Sequence, residues 1–100
     1  MINFRQIFPL IDFTDSYTFD KCESLQDFLV ECVKIYKTDN DERVRECCLS
    51  VYMAFRDHYP SYMVYVDKNL QMQLNQDIEI ANSKIIKLRR IVIGALSKVA

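Results

Sequence analysis

The scarcity of chain-breaking residues is the feature that most constrains this sequence. Its 100 residues include one glycine, Gly94, and two prolines, Pro9 and Pro60. A β-rich chain of this length needs many tight turns and usually more glycine. Half of the residues are hydrophobic and 27% are charged, which permits a packed core and argues against disorder. We therefore expect a single all-α domain over residues 1–100, with about five to six helices.

Apolar residues recur at helical spacing in two stretches. Ser24 opens the first stretch and forms a capping pair with Asp27, whereas Asp39 is the predicted N-cap of the second, with Glu42 as its reciprocal partner. The two stripes are Leu25, Phe28, Leu29, Cys32, Val33 and Tyr36, followed by Val44, Cys47, Cys48, Val51, Tyr52 and Phe55. These patterns predict two amphipathic helices, one ending near residues 37–41 and the other at residues 56–60.

The next segment predicts a third helix and a connector. Pro60 suits the first turn of a helix over residues 60–75, because its missing N–H costs nothing there. The inward residues of this helix are Tyr62, Met63, Val66, Leu70 and Leu74. Residues 75–83, with the sequence NQDIEIANS, are the least periodic part of the chain and predict a connector.

A last helix is predicted to open at Asn82 and Ser83. One of its faces carries Ile85, Leu88, Val92, Ala95, Leu96 and Val99. Ile86 and Ile93 lie off this face, which indicates that the helix meets a second neighbour. In the N-terminal region, residues 1–23, Pro9 predicts a short helix before it and another turn after it.

The cysteines give no sign of a metal or catalytic site. The sequence contains Cys22, Cys32, Cys47 and Cys48, without a paired CxxC spacing. Cys47 and Cys48 lie in an apolar stripe, where free cysteine packs as a small hydrophobe, and adjacent helical residues diverge by about 100°. His58 is the only histidine and lies beyond the predicted end of that helix. We therefore expect no enzymatic activity, no metal and no cofactor.

The expected environment is the cytoplasm or the nucleus, where such thiols stay reduced. No segment predicts a signal peptide or a membrane span, because the apolar run IVIGAL is far shorter than the about 20 residues that a bilayer requires. A membrane is therefore not an expected partner.

Charge and tyrosine are unevenly distributed. Residues 1–42 carry nine acids and four bases, whereas residues 84–98 carry five bases and no acid. A basic helix face is most often simply solvated, but it can also bind an acidic partner or nucleic acid. Tyr59, Tyr62 and Tyr65 follow one another at intervals of three. Tyrosine is enriched at interfaces, although core packing with a solvated hydroxyl is the more common use.

A shift of 44 residues places the last predicted helix on the second one. The matched pairs are Val44 with Leu88, Arg45 with Arg89, Cys48 with Val92, and Asp39 with Ser83. DNDERVRECCLSVYMAFRDHYP resembles the first helix of a HEAT repeat, with an acidic turn, a Val-Arg pair and small residues in the stripe. SLQDFLVECVKIYKTD and SYMVYVDKNLQ resemble second helices of such repeats, and KLRRIVIGALSKV resembles the next first helix. The resemblance covers residues 24–99, with residues 1–23 as a cap-like region.

The resemblance implies a short α-solenoid that acts as a non-catalytic scaffold or adaptor, on its own or within a longer repeat protein. Its partner would be a protein, further repeats, or a second copy that pairs through the C-terminal helix. One alternative is a compact helical regulator of viral or bacterial origin that binds one target, either alone or as a dimer. A less favoured alternative is nucleic-acid binding through the C-terminal helix. The candidate partner-binding residues are Tyr59, Tyr62, Tyr65, Lys84, Lys87, Arg89 and Arg90.

Overall fold

The structure is a computed structural model that describes residues 24–99, apart from the side chains of Asn82 and Val99. These residues form helices α1 (Leu25–Thr38) and α2 (Glu42–His58), a 3-10 segment (Pro60–Tyr65), and helix α3 (Lys68–Val99). No strand occurs between residues 24 and 99, and the predicted all-α class is confirmed. The helices expected on either side of Pro9 lie outside the described residues.

The turn between α1 and α2 differs from the prediction in its capping residue. Ser24 caps α1 as expected, because its Oγ accepts a hydrogen bond from the N–H of Asp27 at 3.1 Å. Asp39, however, ends α1 instead of opening α2. Asp41 is the N-cap of α2, and its carboxylate accepts from the N–H of Arg43 at 3.0 Å. The turn contains two aspartates, and spacing alone could not decide which of them stands next to the free amide groups.

The single helix predicted to follow α2 is interrupted. Its first part, Pro60–Tyr65, is a 3-10 helix, and α3 begins only at Lys68. Asp67 opens α3, because its Oδ2 accepts from the N–H groups of Asn69 and Leu70 at 3.1 and 3.3 Å. A capping carboxylate satisfies amide groups that the first helical turn leaves free, and it explains why a new helix starts at this point.

Helix α3 is continuous over 32 residues. The predicted connector at residues 75–83 and the predicted helix start at Asn82 and Ser83 are therefore wrong. A straight helix of this length would be about 48 Å long. The molecule extends only 29 Å along its longest principal axis. Helix α3 must therefore bend, although its own sequence contains no proline and its single glycine, Gly94, lies near its C-terminal end.

Contacts with α2 from both halves of α3 agree with this bend. Asn75 and Arg89 would lie about 21 Å apart on a straight helix. Yet Asn75 accepts a hydrogen bond from Arg56 at 2.9 Å, and Arg89 donates to the adjacent Asp57 at 2.7 Å. Residue 82 is midway between them. We name residues 68–81 and residues 83–99 the N-terminal and C-terminal arms of α3.

Helix α2 is the centre of the packing and contacts α1, the 3-10 segment and α3. All residues from 47 to 55 are buried. They include Ser50, whose hydroxyl donates to the carbonyl of Cys47 at 2.6 Å, so no buried polar atom of Ser50 lacks a partner. The predicted stripe of α2 is buried throughout, but the helix is also buried on its other side through Leu49, Met53 and Ala54.

The core predicted for the other helices is largely confirmed. Buried residues from the predicted stripes are Phe28, Leu29, Cys32, Val33, Tyr36, Val66, Leu74, Ile85, Val92 and Leu96. The remaining predicted residues that the structure describes pack at its edge, and they are Leu25, Tyr62, Met63, Leu70, Leu88 and Ala95. Ile86 and Ile93 are also partly buried against this core. Between residues 24 and 99, no helix combines the length and the apolarity that a bilayer span requires.

Candidate partner-binding surfaces

The three candidate tyrosines form a row of aromatic contacts that runs from the core to the surface. The ring of buried Phe55 lies 5.3 Å from that of Tyr62 and 5.9 Å from that of Tyr59. The ring of Tyr62 in turn lies 6.1 Å from that of Tyr65. Tyr59 and Tyr62 are half-buried, whereas Tyr65 is 47% exposed. Tyr65 is thus the tyrosine most available to a partner, and its ring packs against that of Tyr62.

A shallow groove next to Tyr65 separates the 3-10 segment from α1. We name it the Tyr65 groove, and its volume is about 200 Å³. Its lining comprises Val30, Val33, Lys34, Lys37, Thr38, Tyr65, Val66, Asp67 and Leu70. Exposed Lys34 and Lys37 lie on the α1 side, and Asp67 lies on the other. Tyr65 also lines an adjoining hollow of about 420 Å³ beside the start of α1. The groove therefore combines an apolar floor with a predominantly basic rim.

The four candidate basic residues do not act as one surface. Lys84, Lys87 and Arg90 are exposed on the C-terminal arm, as is Lys98. Arg89 instead turns towards α2 and forms an ion pair with Asp57 at 2.7 Å. Its guanidinium therefore links α3 to α2 and is not free to bind a partner, as the sequence had suggested it would be.

Asp57 joins two arginines at the C-terminal end of α2. Its carboxylate accepts from the Nε of Arg56 at 2.9 Å and from Arg89 at 2.7 Å. Burial alone would raise the pKa of Asp57, but the hydrogen bonds from both guanidinium groups outweigh it and hold the pKa below its ordinary value. Sequence reasoning missed this contact because Asp57 and Arg89 lie 32 positions apart.

A second cluster that the sequence did not indicate joins α1 to the N-terminal arm. The hydroxyl of Tyr36 donates to Asp77, and Gln73 donates to the other oxygen of that carboxylate at 3.1 Å. The guanidinium of Arg45 lies 4.2 Å above the Tyr36 ring. Burial, reinforced by the hydrogen bond with Asp77, raises the pKa of Tyr36 to about 12. The hydroxyl therefore stays protonated at neutral pH and acts as a donor that ties the helices together.

A groove of about 570 Å³ lies beside the bend of α3. We name it the bend groove, and its lining comprises Glu42, Glu46, Ile80, Ala81, Ser83, Lys84 and Ile86. Ala81 and Ser83 would point about 160° apart on a straight helix, so their presence in one groove agrees with a bend near them. A smaller hollow lined by Tyr36, Arg45, Leu49 and Asp77 adjoins it.

The cysteines of α2 lie in the core, as the sequence predicted. Cys47 and Cys48 are free thiols and are almost completely inaccessible to solvent. Burial raises the pKa of the Cys47 thiol, with further contributions from Cys48 and nearby acids, so a reactive thiolate is disfavoured. His58, the last residue of α2, is exposed to solvent. Within residues 24–99, no three His, Cys, Asp or Glu side chains are grouped so that they could hold a metal ion.

Over residues 24–99, the fold and these surfaces define the class of protein: an all-α domain with a thiol-containing core and shallow surface grooves. No protein-family model matches this chain, and comparisons with curated proteins and with solved structures found no significant match.

Proposed function

We propose that this protein is a non-catalytic protein-binding module, a scaffold or adaptor with HEAT-like stacking of helices. The observation that carries the proposal is the Tyr65 groove. It combines an exposed aromatic ring with an apolar floor and a charged rim. Binding hot spots commonly consist of an aromatic anchor beside a pocket, surrounded by polar groups that exclude water.

The charge of the groove indicates which segment it would bind. Lys34 and Lys37 present two ammonium groups on the α1 side, against the single carboxylate of Asp67. An apolar side chain of a partner would cover the floor, and a neighbouring carboxylate would meet the lysines. We therefore propose a short segment of another protein, with an apolar residue next to Asp or Glu, as the occupant of the Tyr65 groove.

The bend in α3 supports the HEAT-like part of the proposal. Because the bend divides α3 into two arms, residues 24–99 contain four α-helical segments: α1, α2 and the two arms of α3. Under the shift of 44 residues, α2 corresponds to the C-terminal arm. Buried Cys48 and Tyr52 then correspond to buried Val92 and Leu96. Equivalent positions facing the core in successive helices are what a repeat architecture requires.

The non-catalytic part rests on the state of the candidate nucleophiles. Cys47 is buried with a raised pKa, so attack by its thiolate would require the core to open. The nucleic-acid alternative loses one of its four proposed cations, because Arg89 is engaged by Asp57. Cytoplasmic or nuclear localisation remains part of the proposal, since buried reduced thiols suit those compartments.

Selection from a random peptide library displayed on phage tests the proposed function. We expect enriched peptides to carry an apolar residue beside Asp or Glu, and Tyr65→Ala to weaken them about tenfold or more. Lys34→Glu should weaken the same peptides by removing the attraction to the carboxylate. Val64→Ala is the matched control, because Val64 is 80% exposed but does not line the groove.

Isothermal titration calorimetry on the folded variants supplies the affinities. Peptides that bind wild-type protein and Tyr65→Ala equally well would overturn the proposal. So would a selection that enriches no sequence at all.

A further inference from the structure

The bend groove carries opposite charges on its two walls. Glu42 and Glu46 lie on the α2 wall, and Lys84 lies on the α3 wall. None of these three side chains forms an ion pair with a described residue. The groove thus carries two acidic groups and one basic group that form no ion pair with one another.

The α3 wall of the same groove also carries apolar side chains. Ile80 is 85% exposed, the highest value among the large hydrophobic side chains of the described chain. Half-buried Ala81 and Ile86 extend the apolar surface beside it. Exposed Lys87 and Ile91 continue this mixture of basic and apolar groups along the next two turns of α3. Contiguous apolar surface with a polar rim commonly marks an interface.

We propose that the bend groove is the interface of a symmetric homodimer. A two-fold interface places the same patch on both copies, so residue i contacts residue j and residue j contacts residue i. A patch with an acidic wall on one side and a basic, partly apolar wall on the other is complementary to its own copy after a rotation of 180° that brings unlike walls together. Glu42 and Glu46 of one copy then face Lys84 of the other, and the two Ile80 side chains pack at the centre.

Charge complementarity favours a second copy over an unrelated partner. Glu46 requires a base opposite it, and Lys84 requires an acid. A second copy of the same surface supplies both, through its own Lys84 and Glu46. A uniformly acidic segment would leave Glu42 and Glu46 facing like charge, which is unfavourable at an interface. The inference is independent of the Tyr65 groove, which shares no lining residue with the bend groove, and either proposal can fail without the other.

Sedimentation velocity of the full chain over a range of concentrations is the first test. We expect the mass to rise with concentration from 11.9 kDa to twice that value. Ile80→Asp should remove the dimer, because it places a carboxylate at the centre of the apolar contact. A wild-type protein that stays monomeric at every concentration, or a dimer unaffected by Ile80→Asp, would overturn the proposal.

A charge-reversal exchange is the decisive test. Glu46→Lys and Lys84→Glu should each weaken self-association about tenfold or more, because each makes both contacts between positions 46 and 84 like-charged across the two-fold axis. Mixing the two single variants should restore association, since both contacts between positions 46 and 84 in the mixed dimer are again between opposite charges. A structural defect in either variant would not be repaired by mixing. Absence of this rescue would overturn the proposed pairing.

Lys98→Glu is the matched control, because it reverses an exposed charge of the same helix outside the groove. Its self-association should match that of the wild type. Circular dichroism of each variant establishes that the chain is folded before its association is measured.

Discussion

Helices α2 and α3 differ in how much of their surface is buried. In the 17 residues of α2, every position from 47 to 55 is buried. In α3, which has 32 residues, the buried residues form one stripe of Leu74, Ile78, Ile85, Val92 and Leu96. A helix that is buried on all sides has neighbours around it, whereas a helix with a single buried stripe has one supporting surface. The difference makes α2 the centre of the domain and leaves α3 free to present an outer face.

The positions of the charged residues account for this difference. The charges of α2 lie in its first and last turns, and residues 47–55 contain none. Helix α3 instead carries charges in its middle, from Asp77 through Lys87 and Arg90, all outside its buried stripe. A charged side chain in the middle of a helix must reach water, so α3 cannot be enclosed as α2 is. Substitutions in the two helices can test this contrast.

The largest effect should come from Phe55→Ala in α2. Phe55 is completely buried at the inner end of the tyrosine row, and its removal should lower the free energy of unfolding by about 3–5 kcal/mol. Urea denaturation, followed by the helical circular dichroism signal, measures the loss in the free energy of unfolding. A cost below about 1 kcal/mol would mean that α2 is not the centre of the core.

A smaller effect should appear when the pH is raised, because of Cys47. Burial raises its pKa in the folded state, so the thiol contributes stability below the unfolded pKa of about 8.5 and loses it progressively above that value. At pH 9.5 we expect the free energy of unfolding to have fallen by about 1.4 kcal/mol from this group. Denaturation at pH 7 and pH 9.5 gives the difference, and Cys47→Ala should lack that part of it. An unchanged pH dependence in the variant would show that another group is responsible.

The ion pair between Asp57 and Arg89 should contribute less. Both side chains are partly exposed, so solvent screens the pair and its coupling energy should be about 0.5–1 kcal/mol. A double-mutant cycle with Asp57→Ala and Arg89→Ala measures this coupling. Because the pKa of Asp57 is lowered on folding, its contribution should persist above the ordinary carboxyl pKa and disappear as the pH falls through the lowered value. A coupling of zero at pH 7 would remove Asp57 as the link between α2 and the C-terminal arm.

The smallest effect should come from the outer face of α3. Met72 is 63% exposed, and Met72→Ala should change the free energy of unfolding by at most about 0.5 kcal/mol. Leu74, two residues away, is completely buried, and Leu74→Ala should cost about 2–5 kcal/mol. Denaturation of this matched pair tests whether α3 has one supporting surface. Similar losses for both variants would indicate that its outer face is also covered.

Much of this fold was predictable from local pattern. The spacing of apolar residues predicted α1 and α2, and their ends agree with the structure to within a few residues. The same spacing predicted that Cys47 and Cys48 lie in the core, because the apolar stripe of an amphipathic helix faces the core. Capping was less secure, since Asp39 and Asp41 are chemically identical and only the path of the backbone distinguishes them.

Other features depend on contacts between distant parts of the chain. The sequence predicted a loss of helix at residues 75–83, whereas the structure keeps the helix and bends it. Arg89 was grouped with the exposed bases of its helix, but Asp57 draws it towards α2. The cluster of Tyr36, Arg45 and Asp77 could not be anticipated, since its members come from three different helices.

The sequence by itself determined the all-α class, the helical stripes and the burial of the thiols, because these depend on hydrophobic periodicity within a single helix. The tertiary structure alone decided that α2 is enclosed on all sides, that α3 bends around it, and that Tyr65 and Ile80 remain exposed. The physical reason is the separation along the chain over which each effect acts. Periodicity acts over one or two turns, whereas enclosure, bending and exposure depend on which surfaces the rest of the chain has already covered.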